Sequence, residues 1–121
     1  MINIETSLIG NIKEQLKLYL TELGEFAPFG CAIDCNNKLV PLGAYIEDFT
    51  NSSELISLLE NIIAYKLNSS DYLIAAIAIN IVVTENDEKF DAIELRIYEK
   101  DKKTKVERIN YTIEKGIVHL E

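Results

Sequence analysis

The sequence predicts an α+β domain of element order α-β-β-α-β-β-β, in which a five-stranded antiparallel sheet carries two helices on one face. Three observations lead to that class. Two apolar stripes recur at helical spacing, a hairpin pattern lies between them, and three extended segments follow in succession. No repeat, linker or low-complexity stretch divides the 121 residues, so they are expected to form one domain, residues 1–121, around one core.

The first stripe is Leu8, Ile9, Ile12, Leu16, Leu20 and Leu23, with Lys13, Glu14, Lys17 and Glu22 on the opposite side. Asn3 or Thr6 can cap its start, and Gly24 is placed to end it in the left-handed conformation that a side chain would penalise. Pro28 then prevents a further helix, because it lacks an amide donor and restricts Ala27. Cys31–Cys35 and Leu39–Glu47 read as two strands joined at Asn36, Asn37 and Lys38, with Val40, Leu42, Ala44 and Ile46 sharing a face. Pro41 removes a ladder donor, which puts its strand at a sheet edge.

Leu55, Leu58, Leu59, Ile62, Ile63 and Leu67 form the second helical stripe, and Asn51 lies three residues before Glu54 as in a capping box. The stretch Tyr72–Thr84 is rich in β-branched residues, which favours a long strand over a third helix. Ile93, Leu95 and Ile97 alternate with Glu94, Arg96 and Tyr98, as a half-buried strand does. Ile109, Tyr111 and Ile113 alternate with Arg108, Asn110 and Thr112, and Gly116 allows a bulge or turn before Ile117–Leu120.

Composition narrows the function. With 12 Lys and Arg against 20 Asp and Glu, the net charge of −8 opposes binding to phosphate backbones, so no nucleic-acid partner is expected. No apolar run reaches the ~18 to 20 residues of a membrane span, and no basic and apolar leader opens the sequence; we expect a cytoplasmic protein that does not enter membranes. Cys31 and Cys35 on one strand would stand roughly 13 Å apart, beyond the ~7 Å a disulfide allows, so both read as free thiols. His119 is the only histidine and lies close to the last residue of the sequence, Glu121, a poor position for a catalytic base. Glu85, Asp87, Glu88 and Asp91 lack calcium-loop spacing, and no glycine-rich phosphate cradle occurs. No catalytic residue, cofactor or metal is therefore expected.

The segment Gly24-Glu25-Phe26-Ala27-Pro28-Phe29-Gly30, with Pro41-Leu42-Gly43-Ala44-Tyr45 after it, resembles a family of small uncharacterised bacterial proteins that share a G-x-F-x-P-F element before the first hairpin. The resemblance implies no activity. In this chain Phe26 and Phe29 are expected to plug the space between the first helix and the sheet. The element order is also similar to that of profilin-like and roadblock-type folds, whose strands run 2-1-5-4-3.

That order would put the Tyr72 strand at an edge, free to pair with a second copy across a twofold axis. The order 2-1-3-4-5 would bury it within its own chain, and alternation alone does not choose between the two. On the first reading the chain is a protein-interaction module, homodimeric through a sheet edge, with Tyr72, Ile74, Ala76, Ala78, Asn80, Arg96 and Tyr98 as its contact residues. The sheet face away from the helices would then carry Gly30, Ala32 and Asp34, the small residues of the Tyr72 strand, and Glu94, Arg96, Tyr98, Arg108, Asn110 and Thr112. A specific form is an immunity-type antidote whose acidity steers it onto a basic protein. The alternative is a small-molecule binder or minor enzyme with a pocket near Phe26, Phe29, Cys31, Tyr45 and Tyr98.

Overall fold

Asn3 opens the first helix from an extended conformation, its side-chain oxygen accepting hydrogen bonds from the Glu5 and Thr6 amides at 2.9 and 3.4 Å. Helix α1 spans Ile4–Leu23 and ends at Gly24, whose φ of 72° lets its amide donate back to the Leu20 carbonyl. The computed structural model describes residues 3–43 and 52–120. Ala44, Tyr45 and Ile46 of the expected second strand and its pocket, and Asn51 of the expected capping box, lie outside those residues.

The remaining elements are β1 (Phe29–Asp34), β2 (Leu39–Leu42), α2 (Ser52–Asn68), β3 (Tyr72–Glu85), β4 (Glu88–Tyr98), β5 (Lys105–Glu114) and β6 (Ile117–Leu120). They form one six-stranded sheet in the order β2-β1-β3-β4-β5-β6, each neighbouring pair antiparallel. The α+β class and the antiparallel sheet thus stand. The count of five strands does not, because Gly116, with φ 77°, turns the chain so that Ile117–Leu120 pairs back on β5 as a sixth.

Two further expectations are overturned. The Tyr72 strand is extended, but from Tyr72 to Ala78 it lies in the interior of the sheet, flanked by β1 and β4, and only past Ala78 does it pair with β4 alone. The order therefore departs from 2-1-5-4-3. Nor do the helices share a face. Leu8, Ile12 and Leu16 of α1 pack with Ile33, Ile74, Ala76, Ala78, Ile93, Leu95 and Ile97, whereas Leu59, Ile63 and Leu67 of α2 pack with Ala32, Leu42, Ala75, Ile77 and Ile79.

Alternation explains the split: from Ile74 to Ile79 the even-numbered residues of β3 point to α1 and the odd-numbered ones to α2, and both sets are apolar. The sheet curls around α1, which meets β1 and β3 on one side and β6 on the other. Alanine at 75, 76 and 78 lets a helix approach from either face. At Gly30 the fit is tighter still, since a Cβ there would stand 2.5 Å from the Ala76 carbonyl oxygen of the neighbouring strand.

Candidate functional site

The expected contact residues are dispersed. Ile74, Ala76 and Ala78 are wholly buried beneath α1 and meet nothing outside the chain. Tyr72 packs against the α2 core, and Arg96 and Tyr98 lie on the same convex face. There the Tyr98 hydroxyl donates to Glu60 Oε2 of α2 at 2.6 Å, and Arg96 Nε donates to Glu94 Oε2 at 2.8 Å. Burial and the Glu60 carboxylate together push the Tyr98 hydroxyl pKa far up. Asn80 alone stays exposed on the concave side. The expected continuous face of Ala32, Ala76 and Arg96 is thereby divided among two sides of the sheet.

Asn80 marks where α1 stops covering the concave face. Beyond it, β3, β4 and β5 continue past the helix end, and β5 leaves β4 at Asn110 to pair with β6 instead. Strand alternation puts Asn80 and Val82 with Ala78 on this side, and Tyr111 and Ile113 with Ile109. Val82 is 64% exposed and Ile113 40%. The Tyr111 hydroxyl donates to Asn80 Oδ1 at 2.8 Å, and Asn80 Nδ2 donates to Asp91 Oδ1 at 3.4 Å. Desolvation and the charge of Asp91 raise the Tyr111 hydroxyl pKa.

Charge separates along the molecule. At the end formed by the α1 start, the β4–β5 turn and the α2 C-terminus, most carboxylates are paired: Glu5 and Glu107 with Lys105, Glu99 with Lys102, and Asp71 with Lys66, while among the described residues Asp101 makes no ion pair and Asp34 accepts from the Asn36 and Lys38 amides. Midway, Arg96 serves both Glu60 and Glu94. At the opposite end, among the described residues, Glu85 pairs with Arg108 at 3.1 Å, while Glu22, Glu25, Asp87, Glu88, Asp91 and Glu114 make no ion pair and outnumber the two lysines beside them, Lys89 and Lys115. No basic residue sits in the last turn of α1, so the negative end of its dipole adds to that field.

A second feature is a groove between α1 and the β1–β2 hairpin. Asn11, Gln15 and Tyr19, spaced four apart on the helix, face Phe29, Cys31, Leu39 and Pro41 across a cleft of about 280 Å³. The side chains of Asn11 and Gln15 make no hydrogen bond among the described residues. Tyr19 and Phe29 meet edge to face at 5.1 Å, as do Phe26 and Phe29 at 5.8 Å. Of the expected pocket, Phe29 and Cys31 line this cleft and Phe26 borders its continuation past Tyr19, while Tyr98 is on the other side of the sheet. Burial raises the Cys31 thiol pKa.

No family model matches the chain, and neither a curated protein nor a solved structure is significantly similar to it. No helix of the described residues is long and apolar enough to cross a membrane. Geometry therefore supplies what distinguishes the surfaces, and the acidic end combines two properties that the cleft does not: exposed apolar side chains and unmatched charge. Sequence reading set Glu85, Asp87, Glu88 and Asp91 aside for lacking the spacing of a calcium loop. It missed Val82, Tyr111 and Ile113 as their neighbours, although the alternation from Ala78 and Ile109 carried that signal.

Proposed function

We propose that the chain is a protein-interaction module that docks a basic protein through its acidic end, in the manner of an immunity-type antidote. The observation that carries this reading is the contrast in pairing: most carboxylates are paired with cations at one end of the molecule, and at the other, among the described residues, only Glu85 is. Unmatched carboxylates repel one another, so their grouping is a cost to the isolated fold that a cationic partner relieves. Such a field speeds encounter more than it deepens affinity. Self-association through the Tyr72 strand is not part of this proposal.

The test uses basic proteins encoded by the genes adjoining this one. Association with one of them is expected to slow at least tenfold between 20 and 300 mM NaCl, on the order expected of a steered encounter. Asp87→Lys with Glu88→Lys is expected to slow it at low salt, and Lys102→Glu with Lys103→Glu to leave it unchanged. Equal effects of the two pairs, or no association with any of these proteins, would refute the reading.

A second reading, a small-molecule site, is favoured by the unpartnered amides of Asn11 and Gln15 in the cleft beside Phe29 and Cys31. A fragment screen by thermal shift tests it. A true ligand raises the melting temperature of the wild-type chain but not of Gln15→Leu.

A further inference from the structure

The concave trough of the sheet holds α1 along part of its length and then continues beyond Gly24. From Asn80 to Glu85 is six residues, roughly 20 Å of extended chain at ~3.3 Å each. Over that length Val82, Ile113 and the half-buried Val118 face the same side as the α1 core, while the helix that covers that core has ended. An apolar strip in the same trough as a packed helix is a surface of the kind that elsewhere in this sheet is covered.

We propose that this open end of the trough is the seat for an apolar and basic segment of the partner protein, lying end to end with α1. The inference rests on the interaction reading above and names the face and the chemistry of what occupies it. Charge complementarity selects the occupant. The carbonyl end of α1 lies toward the open end of the trough without a basic residue in its last turn, with Glu22 and Glu25 at that helix end and Asp91 on the strip itself. An acidic or neutral segment would be repelled or left unpaired there. A purely polar basic segment would leave Val82 and Ile113 wet.

Within the seat, the hydrogen-bonded row Tyr111, Asn80 and Asp91 offers a carboxylate beside an aromatic ring. Asp91 makes no ion pair among the described residues, Lys89 two residues along the same face included, and the tyrosine hydroxyl donates to Asn80, so the carboxylate keeps acceptor capacity for a lysine or arginine from outside. The ring can carry the stem of that side chain or its charge. Val82 and Ile113 then supply the water-excluding contact that makes a central ion pair count.

Three synthetic 16-residue peptides, built from Lys and Leu, from Lys and Ser, and from Glu and Leu, serve as probes of the isotopically labelled full chain by NMR. The Lys/Leu peptide is expected to shift the amides of Asn80–Val82, Asp91 and Tyr111–Ile113, and to bind at least tenfold more tightly than the other two. Val82→Ser with Ile113→Ser is expected to weaken it about tenfold, and Asp91→Asn about fivefold, with the spectrum of the free protein otherwise folded. Shifts confined to the α1–hairpin groove, or equal binding of the Lys/Ser peptide, would overturn the seat while leaving the charge-steered reading intact. Failure of both basic peptides to bind at low salt would count against that reading itself.

Discussion

At the level of single residues, the structure turns on close approach and on buried polar atoms. Gly30 has no room for a methyl group, because the Ala76 carbonyl occupies the place of its Cβ. Gly30→Ala is expected to destabilise the chain by about 1 to 3 kcal/mol, read as a lower urea midpoint. Gly10, in the exposed middle of α1, has nothing within 4 Å, so Gly10→Ala is expected to stabilise by about 0.5 to 1 kcal/mol. The thiols separate by burial: Cys31 is buried with a raised pKa and Cys35 is exposed. A thiol reagent at pH 8 should label Cys35 quickly and Cys31 only when the fold opens. Tyr98 gives a pH dependence with a definite sign. Its hydroxyl holds its proton to higher pH in the folded chain than in the unfolded one, so its contribution is complete below pH ~10 and is lost as pH rises above that value. Denaturation followed from pH 9 to 11 should show stability falling, and Tyr98→Phe should flatten the slope.

At the level of elements, α1 shows how little is needed to place a helix and how much is needed to choose its neighbours. Its cap, its buried row and its glycine stop are local, and each was legible: Asn3, Leu8 to Leu20 at intervals of four, and Gly24. Asn3→Ala is expected to cost about 1 kcal/mol in chemical denaturation. β3 was legible as a strand and misread as an edge. Its residues are apolar on both alternating sets from Ile74 through Ile79, which fits cover on both faces, but face cover does not tell which strands flank the edges, and pairing with β1 and β4 is what corrected the reading. Ala78→Arg, which would mark a dimer had β3 been an edge, instead places a charge in a fully buried site beneath α1 and should abolish cooperative unfolding. Pro41 was read correctly. The Lys38 carbonyl accepts from the Asp34 amide, which fixes the hairpin register so that the missing donor of Pro41 faces outward from β2, the first strand of the sheet.

Over the whole molecule, the net charge of −8 acquires meaning only from its distribution. Stability measured by urea at rising NaCl should increase by about 0.5 kcal/mol, because salt screens the unmatched carboxylates of one end more than it weakens the exposed pairs of the other. Asp87→Asn with Glu88→Gln should remove part of that increase. The sequence by itself determined the α+β class, the positions of both helices, the extended nature of Tyr72–Thr84 and the two free thiols, since periodicity, capping chemistry and chain reach are properties of neighbouring residues. Only the tertiary structure decided which helix covers which face of β3 and which strands flank it, that Ile117–Leu120 adds a sixth strand, and that Val82, Asp91, Tyr111 and Ile113 meet beyond the end of α1. Those outcomes depend on which strands pair across long loops and on how far the sheet curls, and contacts between distant residues leave no spacing along the chain from which to read them.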